Sequence, residues 1–289
     1  MSKRNFLNLS LFIFIIALVT VVVYEPGKDV AIKPPTLSTL EKNDITHIKI
    51  NRHSADSSER EIEFKKTPNG WMMLKPYPVS ANSFRIEAIL EILSSVSFSQ
   101  NSLNRLDLKT FGLAKPAATI IFNNKTTFIF GHNKSLKNHR YIQIGSILHL
   151  TADTYFYQLA AKSESYISHK LLNTQSKIIK LTLPTMTLSK IDSHWGIKPK
   201  TNNSSADSIN QLISEWQLSQ AYDINKLQEK PNNKADIVIQ LNNNKKINFK
   251  IEKNTNSFNL INLDTGIRYI LSSDRKDKLL KLSSFHQEK

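Results

Sequence analysis

The chain has 289 residues, of which 40% are hydrophobic and 22% charged, and it carries a formal net charge of +15 with no cysteine. That balance is too apolar for a disordered chain and long enough for one large or two modest cores. The missing cysteines exclude disulfide frameworks, cysteine-held zinc, iron–sulfur clusters and thiol catalysis.

Residues Phe6 to Tyr24 form an uncharged run broken only by Asn8, Ser10 and Thr20. A helix of that length spans roughly 28 Å, close to the roughly 30 Å hydrocarbon core of a bilayer. The segment that follows, Val22-Val23-Tyr24-Glu25-Pro26-Gly27, offers no small-residue cleavage site, so residues 1–24 read as a cytoplasmic tip and an uncleaved signal anchor. Lys3 and Arg4 precede the span and the charges just after it nearly cancel. The positive-inside bias therefore predicts a single-pass protein of a bacterial inner membrane, with its N-terminus in the cytoplasm and the rest periplasmic. In that compartment a basic surface meets anionic lipid or envelope polymer, and no nucleic-acid partner is expected.

Residues 25–44, with Pro26, Gly27, Pro34 and Pro35, read as a linker. Beyond them a pattern occurs twice, over 45–172 and over 178–289. Each copy opens on an alternating strand, Ile45–Ile50 and Ile179–Leu183, and continues to a strand holding Trp71 or Trp195, each followed by a proline, Pro76 or Pro199. Each then has a helix, with apolar stripes Ile86, Ile89, Leu90, Leu93 and Ile209, Leu212, Ile213, Trp216. Ser80 and Ser83 are the candidate caps of the first helix, and Ser205, Asp207 and Ser208 those of the second. All four stripe positions correspond at one spacing of 123 residues. Hairpins with Asn/Lys turns follow, over 120–130 and 239–249, then a second hairpin in each copy and a short helix after Asp153 or Asp274. The prediction is an α+β fold: an N-terminal transmembrane helix and two similar lobes, each a mostly antiparallel sheet with a helix on one face, arisen by internal duplication. Lys and Arg exceed Asp and Glu by 7 in residues 45–172 and by 6 in residues 178–289, so the charge is a general property of both surfaces.

Three segments carry a resemblance: Trp71-x-x-Leu74-x-Pro76, Phe111-Gly112-Leu113-x-x-Pro116-Ala117, and Gly131-His132-Asn133 through Arg140-Tyr141-x-x-x-Gly145. Together with the Tyr155–Leu159 helix they resemble the bacterial domain-of-unknown-function family 4340, closely in the first copy and loosely in the second. The second copy lacks the Gly-Leu-x-x-Pro element and the Arg-Tyr pair. The resemblance implies a single-span, exported protein associated with an ABC-type transporter, and it brings no catalytic residue with it.

The residues themselves nominate no chemistry. There is no HExxH, no Gly-x-Ser-x-Gly and, with 7 glycines in the chain, no phosphate loop. No catalytic, cofactor or metal residue is assigned, and no enzyme activity is expected. His47 and His149 read as solvent-facing strand residues, and Glu59, Glu61 and Glu63 as a charged outer face. The one local cluster is His132, Lys134, Lys137, His139 and Arg140, a cationic loop suited to an anion or an acidic partner surface. The expected function is a non-enzymatic accessory or scaffold of a transporter-type membrane protein. The alternatives are a binder of anionic envelope polymers or lipid headgroups, and a hydrolase with scattered residues.

Overall fold

The structure is a computed structural model that describes residues 3–24, 34–53, 56, 59–134, 138–173, 175–192, 194–200, 204–229, 231–232 and 234–283. The chain divides into Met1–Pro35 and Thr36–Lys289. In the first unit, α1 (Lys3–Tyr24) is 22 residues long, buries none of them, and is long and apolar enough to cross a membrane.

The second unit holds two antiparallel sheets. The first lobe comprises β1 (His47–Arg52), β2 (Glu61–Thr67), β3 (Gly70–Lys75), β4 (Val79–Ser80), α2 (Ser83–Leu90), β5 (Ser99–Ser102), β6 (Ala118–Phe122), β7 (Thr126–Lys134), β8 (His139–Ile144), β9 (Ile147–Ala152) and α3 (Phe156–Ala160). Its strands lie in the order β4-β3-β2-β1-β6-β7-β8-β9-β5. The second lobe comprises β10 (Ile178–Thr182), β11 (Thr187–Ile191), β12 (His194–Lys198), α4 (Ala206–Leu218), β13 (Asp223–Lys226), β14 (Ile237–Leu241), β15 (Lys246–Glu252), β16 (Ser257–Asn262), β17 (Ile267–Ser272) and α5 (Arg275–Leu280). Its order is β12-β11-β10-β14-β15-β16-β17-β13. Without β4 the two orders are one topology, strand for strand. The registers repeat as well, for Trp71 pairs with Lys66 as Trp195 pairs with Lys190.

Local chemistry accounts for most elements. At the β6–β7 turn Asn123 and Asn124 take φ of 51° and 56°, left-handed values that asparagine tolerates better than most side-chain-bearing residues. Asn123 also accepts from the backbone N–H groups of Thr46 (2.8 Å) and His47 (3.1 Å), tying the turn to the start of β1. The cap of α2 is Asn82, whose side chain accepts from Phe84 and Arg85, rather than Ser80 or Ser83; the cap of α4 is Ser205. Both apolar stripes are buried as their spacing requires, and the fully buried Trp216 donates its indole N–H to the Leu279 carbonyl at 2.8 Å.

Two elements escape sequence patterning. The edge strands β5 (Ser-Gln-Asn-Ser) and β13 (Asp-Ile-Asn-Lys) are polar and carry no alternation. They form because β9 and β17 offer unpaired backbone donors and acceptors, and main-chain pairing is indifferent to side chain.

Of the stretch read as a linker, residues 25–33 lie outside the described residues, and from Thr36 the chain is packed. Thr36 bridges Val96, and the N–H of the buried Leu37 donates to the Ser95 carbonyl at 2.9 Å. The second lobe repeats both contacts: Lys170 bridges Gln220, and the Leu171 N–H donates to the Ser219 carbonyl at 3.2 Å. Each repeat thus begins on a short extended element laid beside the chain that leaves its helix, eight or nine residues ahead of the strands that mark it in the sequence. The segment around Tyr166–Leu172 serves both lobes at once. Ile167 bridges Ala81 in the first lobe while His169–Leu171 pair with residues 219–221 of the second. The buried Tyr166, Ile167, Leu171 and Leu172 make the two cores continuous.

Candidate functional site

The motif residues of the first lobe converge. The turn at Phe111–Leu113 meets the Gly131–His132 end of β7, where the His132 N–H donates to the Phe111 carbonyl at 2.8 Å. Two glycines make the approach feasible. A Cβ on Gly131 would stand 2.1 Å from the Phe111 carbonyl oxygen, and one on Gly112 (φ +72°) would stand 2.2 Å from the His132 ring. Phe111 packs edge-on against Tyr141 of β8, with centroids 4.9 Å apart.

Arg140, the neighbour of Tyr141, points the other way, into the core. It is only 8% exposed; its Nε and Nη2 donate to Asp153 at 2.5 and 2.9 Å, and its Nη1 donates to the Gly131 carbonyl at 2.6 Å. Its guanidinium lies 3.7 Å from the ring centre of Phe156. This bidentate and stacked arrangement, with a bond from each of the three guanidinium nitrogens, is how a buried arginine is accommodated.

The predicted cationic loop is therefore divided. Lys134 and His139 face each other across β7 and β8, His132 is exposed beside Gly112, and His139 stacks on the half-exposed Phe98 at 4.6 Å. Arg140 faces the core with Asp153 as its partner, so its charge is neutralised within the fold. Lys137 lies outside the described residues.

The sequence missed a second polar assembly. Arg52, 5% exposed, donates to the Glu59 carbonyl and to its carboxylate (2.7 Å), and reaches the Ala161 carbonyl. Glu59 also accepts from the Ser163 N–H (2.8 Å) and hydroxyl, and the Tyr77 hydroxyl lies 3.0 Å from Ser163 Oγ. Burial by itself would raise the Glu59 pKa, but the bonds from Ser163 and Arg52 outweigh it and hold the carboxyl below its ordinary range. Burial pushes the Tyr77 phenol up to about 12. Glu59 thus belongs to a buried clasp, whereas Glu61 and Glu63 do lie on the outer face with Lys49, Lys75 and His47. The Lys75 hydrogen bond is the chief cause of the lowered Glu61 pKa.

His149 is a correction. It is 4% exposed, lies 3.0 Å from Ser97 Oγ, and its pKa is lowered by burial. On β9 the leucines at 148 and 150 suggested the inner face, yet His149 and Thr151 pair with Ile142 and Arg140, which face the core. Leu148 is buried in the other direction, on the side where Tyr141 meets Phe111. The alternation was real, but both faces are covered, so hydrophobicity alone pointed the strand the wrong way. His47 is half-buried, with Nε2 2.8 Å from Glu63. Among the described residues no three His, Asp or Glu side chains gather as a metal site would require.

Fold and site together define a class: an N-terminal apolar helix of the kind that serves as membrane anchor or signal sequence, followed by tandem copies of one α+β unit. The chain belongs to the family described as Domain of unknown function (DUF4340), whose model matches residues 71–281. That match runs from Trp71 of the first lobe to the end of the second, so it takes in residues of both repeats. Neither a curated protein nor a solved structure matches the chain.

Proposed function

We propose that this protein is a single-pass, membrane-anchored docking subunit that presents its two fused lobes outside the cytoplasm to a membrane-protein partner of the transporter type. The observation that carries this reading is the use made of buried polar chemistry. Arg52, Glu59, Arg140 and Asp153 bond to one another or to main chain, as do Ser97 and His149, and they brace the fold rather than converge on a reactive point. A fused, continuous core gives such a subunit a rigid face. The apolar α1 supplies the anchor, and Lys3 and Arg4 at its start favour a cytoplasmic N-terminus. The cationic loop, with Arg140 neutralised inside the fold, supports an anionic-polymer reading less well.

The test is gentle solubilisation of membranes holding the tagged full-length chain, followed by identification of what co-purifies. A stoichiometric integral membrane partner is the expected result. Recovery of the protein alone in several mild detergents, or a C-terminal reporter active on the cytosolic side, overturns the reading.

A further inference from the structure

A cleft of about 310 Å³ opens where the two lobes meet, bounded by the β2–β3 turn, the start of α2, the shared segment at 168–173 and Gln220. Its lining is unlike the rest of the surface. The chain has 39 Lys and Arg and 24 Asp and Glu, yet Lys170 is the one charged residue that lines the cleft among the described residues. Amides and hydroxyls take their place. The side chains of Asn69, Ser83 and Gln220 carry no hydrogen bond among the described residues. Asn82 commits only its oxygen, to the N–H groups of Phe84 and Arg85, which leaves its NH₂ as a donor. His169 donates its Nδ1–H to the Ala221 carbonyl at 3.0 Å, so that in the neutral ring Nε2 is left as an acceptor. Phe84, 76% exposed, and the largely buried Trp71 are the aromatic residues of the lining.

Several ligand classes fit this lining poorly. An anion would find one lysine, and the N-terminal N–H groups of α2 that might have held it already bond to Asn82. A peptide added as an extra strand needs an unpaired edge, but the chain beyond β4 is taken: Ala81 bridges Ile167, and the Ser168 N–H donates to the Ser80 carbonyl at 2.8 Å. What remains is a neutral ligand dense in both donors and acceptors, with one flat apolar face to lie against a ring. The dimensions sit at the lower end of ligand sites, and the position between two lobes is where such sites gather.

We propose that this cleft binds a neutral glycan segment bearing hydroxyl and acetamido groups, with a sugar face on Phe84 and its polar edge on Gln220, Asn69 and Asn82. The inference rests on the exported reading only for where such a ligand would be met. The test is to titrate the full-length protein in lipid nanodiscs with N,N′,N″,N‴-tetraacetylchitotetraose, read by tryptophan fluorescence and by calorimetry. Saturable binding is expected, weakened at least tenfold by Phe84→Ala and by Gln220→Ala with the melting temperature unchanged; because Phe84 is so exposed, its replacement leaves the fold intact. Absence of saturable binding, or binding indifferent to both substitutions, overturns the proposal. A membrane partner that co-purifies while the glycan fails to bind removes this inference alone. A bound glycan without any membrane partner removes the docking reading alone.

Discussion

The two lobes share one topology and differ in what they bury. In the first, Arg52 lies two residues beyond Ile50, which pairs with Ile120; in the second, Leu183 lies two beyond Leu181, which pairs with Ile239. Both are buried, one as a charge and one as an alkyl group. Arg140 faces Thr151 across β8 and β9, where Phe258 faces Leu271 across β16 and β17. Phe98 donates its N–H to the Leu150 carbonyl as Tyr222 donates to Ile270, which aligns His149 with Tyr269 and Ser95 with Ser219. Four polar positions in one lobe are thus matched by apolar or aromatic residues in its sister. The sheet does not need the charges, because the second lobe closes without them. The comparison is a natural instance of the rule that a buried ion pair fixes geometry at little net gain over a well-packed apolar core. It also leaves a residue behind: Ser95 bonds to Thr151 at 2.8 Å, but Ser219, with Leu271 where Thr151 would be, holds a buried hydroxyl with no hydrogen-bond partner among the described residues.

The comparison breaks most visibly at the Arg140–Asp153 pair, whose side chains are 9% and 8% exposed. Asp153→Ala strands a buried guanidinium and should cost about 3–5 kcal/mol in denaturant unfolding of the full-length protein. Adding Arg140→Leu, which makes the site resemble the second lobe, should recover a large part of that loss. A cost under about 1 kcal/mol for Asp153→Ala would show that the pair is not closed from water.

The next effect is on pH. His149 has a folded pKa below its ordinary 6.5 because burial disfavours the charged ring. The unfolded chain therefore takes up a proton that the folded chain refuses once pH falls below 6.5, and stability declines on acidification, by up to about 1.4 kcal/mol per pH unit for one proton. His149→Gln should flatten that part of a stability-against-pH profile, whereas Tyr269, its counterpart, contributes nothing in this range since burial raises its pKa to about 12. An unchanged profile in the variant would assign the acid sensitivity elsewhere.

The smallest effect separates the paired serines. Ser95→Ala breaks a buried bond to Thr151 and should cost about 1–2 kcal/mol, while Ser219→Ala removes an unsatisfied hydroxyl and should be neutral or slightly stabilising. Equal costs in thermal melts of the two variants would mean that Ser219 has a partner after all.

Sequence patterning worked where one face of an element is buried and the other wet. The helix stripes, the Trp strands and the Asn-turn hairpins all obey that condition, and the duplicated order of elements followed from them. It failed on β9, covered on both faces, and on the mostly polar β5 and β13, which are placed by main-chain pairing to β9 and β17 with Ile224 the one buried side chain between them. Within the candidate site, Gly112, Gly131, Arg140 and Tyr141 stood out as motif residues, but nothing in their spacing told that Arg140 turns inward while Tyr141 turns out. The Arg52–Glu59–Ser163 clasp was invisible, since Ser163 and Ala161 reach it from more than a hundred positions away, and charge beside a strand reads as solvent exposure until such a partner is seen.

By itself, then, the chain's order of residues determined the apolar N-terminal helix, the α+β class and the duplication, because hydrophobic periodicity is a local property that each segment carries with it. Tertiary structure alone decided which charges are buried, where each repeat begins, and that one segment at 166–172 welds the two lobes. Those outcomes depend on partners brought together from distant positions, and the free energy of burying a charge is set by the partner it finds rather than by its neighbours in sequence.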